Sequence, residues 1–146
     1  MGNRVYNFDA EFELKDAGLV AASAAATVDS AAKIMDVGAA RMEGTVVVDV
    51  TAIEIASNDE EYDIILQGSN SSSFASGIEN LAQLNLGATE VRQGGAQDST
   101  VGRYEMFFTN QADDTTYRYL RLYTVVAGAI ATGINYTAFV APLPGK

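Results

Sequence analysis

Three β-patterned runs follow one another between Gly102 and Pro142, and they limit what this chain can fold into more than any other part of it. In Arg103–Phe108, Tyr117–Val126 and Ile134–Val140, alternation of side-chain character coincides with β-branched and aromatic residues. That is the signature of half-buried strands and not of helices. The middle run places Leu120, Leu122 and Val126 on one face and Tyr117, Tyr119, Arg121 and Tyr123 on the other, because successive strand residues point to opposite sides. One face is core, and the other meets something else.

Upstream, Thr45–Ile55 alternates Val46, Val48 and Val50 against Val47, Asp49, Thr51 and Ile53, and reads as a central strand. The polar turn Ser57–Glu61 follows, then a second alternating run, Tyr62–Gln67. The two runs are expected to form a hairpin with a long connection. Gly68–Gly77 is Ser-rich and reads as a loop, Asn80–Leu86 as a further strand, and Ala88–Thr100, with Gly94-Gly95 at its centre, as an exposed loop. Between Asp16 and Met35 the composition shifts to Ala and Ser. Propensity alone favours a helix there, but a helix with so few large apolar residues would bury little, so short strands or a small-residue loop are expected.

The count is about seven or eight strands in a single all-β domain, spaced as in an antiparallel β-sandwich or jelly roll. The expected organisation is an N-terminal arm over 1–16, in which Glu11–Leu14 offers the start of a strand, the sandwich over 17–141 and a tail over 142–146. Both prolines, Pro142 and Pro144, sit in that tail, beyond the last strand.

A chain of 146 residues can bury a substantial core without crosslinks. It has no Cys and no His, which removes thiolate chemistry, disulfides, the commonest metal ligand and the commonest general base. Nineteen acidic against nine basic side chains give a formal charge of -10, which repels nucleic-acid phosphates and anionic membranes. The N-terminus lacks a cationic region followed by an apolar one, so a soluble, unprocessed chain with no nucleic-acid and no membrane partner is expected.

Asp59, Glu60, Glu61 and Asp63 offer the carboxylate oxygens that a hard cation needs, but without the spacing or internal glycine of a calcium loop, and they read as a solvated turn. Asp113-Asp114 reads as turn chemistry between two strands. There is no P-loop, dinucleotide-binding glycine pattern or nucleophile elbow, so the expectation is a protein that is not an enzyme and carries no cofactor. Tyr and Arg are enriched where proteins bind proteins, which singles out Tyr117, Tyr119, Arg121 and Tyr123 as an interface, or as residues packed on the second sheet. Arg4, Tyr6 and Phe8 in the arm have the same character and are further interface candidates.

The succession Tyr117-Arg118-Tyr119-Leu120-Arg121-Leu122, Tyr123-Thr124-Val125-Val126-Ala127-Gly128 and Ile134-Asn135-Tyr136-Thr137-Ala138-Phe139 resembles the C-terminal end of small capsid cement (decoration) proteins of tailed phages. Tyr62–Ser69 before Phe74 is similar to that family's strand and Ser-containing loop, and Ile34–Gly38 to its early short strand. The pattern extends from about Leu19 to Val140, and the arm 1–16 and the loop Ala88–Thr100 are longer than it requires. The resemblance implies a jelly-roll-like sandwich on the outer surface of a phage head, made in the host cytoplasm, that bridges major capsid protein subunits. It further implies a homo-oligomer, with a dimer favoured over a trimer. The competing expectation is a carbohydrate- or receptor-binding β-sandwich module, for which exposed aromatics are equally suited.

Overall fold

A computed structural model of the protein describes residues 9–92 and 96–141. Arg4, Tyr6, Phe8, Pro142 and Pro144 therefore lie outside the described residues. A 3-10 turn, Ala10–Phe12, is capped by Asp9, whose side chain accepts from the Glu11 N–H. Six short strands follow: β1 (Glu13–Lys15), β2 (Leu19–Val20), β3 (Ala24–Ala25), β4 (Thr27–Val28), β5 (Ala31–Ala32) and β6 (Met35–Asp36). The long strands are β7 (Glu43–Ile53), β8 (Glu61–Ser69), β9 (Glu79–Gly87) and β10 (Gly102–Thr109), then, after the small hairpin of β11 (Gln111–Ala112) and β12 (Thr115–Thr116), β13 (Tyr119–Ala127) and β14 (Ile134–Ala141).

The first sheet runs β1-β14-β7-β10, with β2 also on β14, and the second runs β3-β13-β8-β9, with β6 also on β13. Every pairing is antiparallel. Followed along the chain, each connection between these positions changes sheet except the β8–β9 hairpin. This is the eight-position jelly roll, with its first two positions filled by the fragments β1/β2 and β3/β6. The expected all-β sandwich is the observed fold, and the Ala-rich stretch forms short strands and no helix.

The inner faces interdigitate as alternation requires. Val46, Val48 and Val50 of β7 share one buried cluster with Tyr62, Ile64 and Leu66 of β8, Leu120 and Leu122 of β13, and Tyr136, Ala138 and Val140 of β14. Burying side chains of this size is the main favourable term, on the order of 2 kcal/mol each. A polar tie spans the layers inside that apolar body: the hydroxyls of Thr124 on β13 and Tyr136 on β14 are 2.6 Å apart. Burial pushes the Tyr136 phenol up to about 12, so it stays protonated and can share a proton with Thr124.

Two expectations are corrected. The runs over Thr45–Ile55 and Tyr62–Gln67 are not a hairpin, because β7 pairs with β10 and β14 while β8 pairs with β9 and β13. Paired side by side, the two apolar faces would lie on the same side of a single sheet. In opposite sheets they cover each other. The turn itself also resists a tight hairpin, since Glu60 is wholly buried and accepts from the N–H groups of Ser57 (2.6 Å) and Asp59 (3.2 Å). The second correction concerns the arm. Its last residues, Glu13–Lys15, are strand β1 on the edge of β14, with Leu14 fully buried. The Lys15 ammonium donates to the carbonyls of Tyr136, Asp16 and Gly18 and stands 4.6 Å from the centroid of the Tyr136 ring. A buried ammonium needs such acceptors, and these anchor residues 13–15 to the sandwich.

The candidate interaction face

Strand β13 lies inside the second sheet, between β3/β6 and β8, and its alternation divides it cleanly. Leu120, Leu122 and Thr124 are buried inward, while Tyr119, Arg121 and Tyr123 are part-exposed on the outer side. Cross-strand partners share a face, so register extends this outer surface. Tyr119 pairs with Asp36 and Ser69, Arg121 with Gln67, and Tyr123 with Ala25 and Ile65. Three of the residues singled out in the sequence are therefore neighbours on one outward sheet surface and are not packed between sheets.

Tyr117 does not join them. It precedes β13, is held by its N–H to the Asn110 carbonyl and its carbonyl to the Asn110 amide, and lies over Gly68 so closely that a Cβ on Gly68 would come within 2.9 Å of the Tyr117 Cβ. Gly68 pairs with the inward-facing Leu120, so Tyr117 sits on the core side. The alternation that predicted otherwise does not extend back across Arg118, because the chain is not yet in the strand.

Arg121 is the centre of the outer face. Its Nε donates to Gln67 Oε1 at 2.9 Å, and its guanidinium carbon lies 4.4 Å from the Phe74 ring centroid and 5.6 Å from that of Tyr123. Contacts of this kind between a guanidinium and an aromatic face are attractive, by about 0.5–1 kcal/mol at exposed sites. Phe74 comes from the Ser-rich loop and is nearly buried. It adopts φ 55°, a conformation that costs a bulky residue on the order of 1–3 kcal/mol. The loop supports that conformation with its own hydrogen bonds: the Phe74 N–H to the Ser71 carbonyl, the Ser71 N–H to Ser69 Oγ, the Ala75 N–H to Ser71 Oγ, and the Ser69 hydroxyl to the Ser76 carbonyl. Sequence reasoning missed Phe74 and Gln67. A ring isolated among serines was the available signal, since such a side chain must cover something apolar.

Arg118, next along the chain, makes a bidentate pair with Asp36, both contacts at 2.9 Å, and stands 5.4 Å from the Tyr119 ring. The Arg118 side chain, then the Gly38 N–H, hold Asp36 down to about 2. At the opposite end of the face, burial and the neighbouring Glu61 push the Asp63 carboxyl up.

The other acidic residues have local duties. Asp59 accepts from the Ala129 N–H, and Glu60 caps its turn. Burial raises the Glu60 carboxyl, but the N–H donors of its turn outweigh it and the net shift is downward. Asp113, with φ 51°, makes the β11–β12 turn. Among the described residues no group of three acidic side chains converges as for a metal ion, and no helix is long and apolar enough to cross a membrane. The loop expected over Ala88–Thr100 is pinned at its base. The Ser99 N–H donates to the Gly87 carbonyl and the Ser99 hydroxyl accepts from the Gly87 N–H, both at 3.0 Å, while Ala88 is fully buried.

No protein-family model matches this chain, and no curated protein matches it by sequence. Among solved structures, a similar chain is the Clostridium thermocellum N-terminal endo-1,4-beta-D-xylanase 10B, CBM22-1–GH10 modules complexed with xylohexaose. The match has 12% sequence identity and a TM-score of 0.37, and covers 73% of this chain but only 18% of the other. The jelly-roll topology is read from the pairing of this chain's own strands.

Proposed function

We propose that this protein is a non-catalytic structural component of a virion: a capsid cement protein that binds the outer surface of a phage head and bridges major capsid protein subunits. The observation that carries the reading is the outer side of β13. Tyr119, Arg121 and Tyr123 present a part-exposed aromatic and cationic surface on a rigid sheet, the residue types and flatness that protein partners use. The resemblance of the β8, β13 and β14 sequences to phage cement proteins supplies the identity of the partner. A chain with formal charge -10 also suits the outside of a shell, away from packaged nucleic acid.

Many equivalent weak contacts on a lattice sum to a large effect. Binding the expanded shell and not its precursor stabilises the expanded state by linkage. Self-association, as a dimer, lets one module reach two capsid positions. The test is to incubate the purified protein with expanded heads that lack it. Saturable binding at a copy number tied to the lattice, with a higher melting temperature of the shell, is the expected result. No binding to expanded heads overturns the proposal, and a positive glycan array in its place would assign the sandwich to carbohydrate recognition.

A further inference from the structure

We infer that Arg121 is a preformed receptor for a single carboxylate, the side chain of an Asp or Glu on the capsid subunit that the outer face of the second sheet covers. This rests on the cement reading and names the chemistry of its contact. In a chain with nineteen acidic side chains against nine basic ones, an arginine ordinarily finds an internal carboxylate. Of the five arginines among the described residues three do, Arg41 with Glu43 at 2.7 Å, Arg103 with Asp49 at 2.7 Å and Arg118 with Asp36 at 2.9 Å, while Arg92 donates to the Gln97 carbonyl. Arg121 has no carboxylate partner among the described residues, where its only hydrogen bond is from Nε to Gln67. Among the described residues its two terminal nitrogens have no hydrogen-bond partner.

That arrangement is held in place. Gln67 fixes Nε from the adjacent strand, Phe74 and Tyr123 stand against the guanidinium, and Phe74 is kept there by a loop whose serines support a left-handed backbone. An arginine side chain left to itself has many rotamers to lose on binding, and a guanidinium already immobilised has few. The occupied Nε also selects the geometry. Arg118 and Arg103 grip their aspartates side-on, through Nε and Nη2. Arg121 can offer only its end, the pair of terminal nitrogens. Two parallel N–H groups match the two oxygens of a carboxylate, and an ammonium in their place cannot reproduce that fork.

The experiment compares binding to expanded heads for the wild type, Arg121→Lys, Arg121→Ala, Phe74→Ala and the control Arg41→Ala, with a melting temperature for each variant to show that it is folded. Arg121→Lys is expected to weaken binding about tenfold or more although the charge is kept. Arg121→Ala should weaken it at least as much, Phe74→Ala by less, and Arg41→Ala not at all. If the wild type binds and Arg121→Lys binds equally well, the receptor is overturned while the cement reading survives. If the wild type does not bind, the cement reading itself falls. Sedimentation of the free protein separates the remaining source: a self-association that Arg121→Lys abolishes would place the carboxylate on a second copy of this chain and overturn its assignment to the capsid.

Discussion

On the inner side of β13, Leu120, Leu122 and Thr124 are almost wholly withdrawn from solvent and lock against the opposite sheet. On the outer side, one residue away in each case, Tyr119, Arg121 and Tyr123 keep part of their surface in water although ring and guanidinium touch. The two sides share a backbone, a register and a set of hydrogen bonds, so the contrast isolates what side-chain environment does. Inward positions contribute through area and packing density, which leave little choice of residue. Outward positions contribute little to stability, because exposed polar contacts are screened and repay only part of the entropy of ordering them. The chemistry on that side is therefore available for binding.

The contrast can be broken from either side. Leu122→Ala removes a fully buried side chain from the shared core and should destabilise by about 2–5 kcal/mol, measured by denaturant unfolding. A loss below about 1 kcal/mol would mean that the sheets do not pack as described. Next is the polar tie, where Thr124→Val strands the buried Tyr136 hydroxyl and should cost about 1–3 kcal/mol. The double change with Tyr136→Phe should cost clearly less than the sum of the single changes, because it leaves no orphaned hydroxyl.

The turn after β13 extends the test to an ionisable group. The Glu54 carboxylate accepts from the N–H groups of Gly133 (2.8 Å), Thr132 (2.7 Å) and Ala131 (3.0 Å). Led by the Gly133 and Thr132 donors, these hold its carboxyl below the ordinary 4.5. A depressed folded value means that the unfolded chain binds the proton more tightly. The contribution is therefore complete above about pH 4.5 and is lost as pH falls through the lower folded value. Glu54→Gln should flatten the acid limb of the stability profile, and an unchanged limb would show that the turn does not depend on the charge. The smallest effect on folding belongs to the outer face. Tyr119→Ala should shift stability by no more than about 0.5 kcal/mol while reducing binding to expanded heads, and a large loss of stability would assign Tyr119 to the fold instead.

Much of the architecture is legible in the chain. All six long strands coincide with runs of alternating or β-branched residues, and the inward set Leu120 and Leu122 follows from period two alone. The site is legible in part. Tyr119, Arg121 and Tyr123 fall on one face because they share a strand, but Tyr117 does not, because β13 begins at Tyr119. Phe74 and Gln67 complete the face from a loop and a neighbouring strand, and no local pattern announces that they will meet Arg121.

By itself the sequence determined an all-β chain, the inner and outer residues within β13, and the absence of cysteine and histidine chemistry, since each of these depends on residue type or on spacing within a single run. Only the tertiary structure decided that β7 and β8 lie in opposite sheets, that Glu13–Lys15 pair with β14, and that Arg121, between Phe74 and Tyr123, has no partner for its two terminal nitrogens among the described residues. The reason is physical: every strand offers the same backbone donors and acceptors, so the choice among partners is made by how whole faces cover one another across the core.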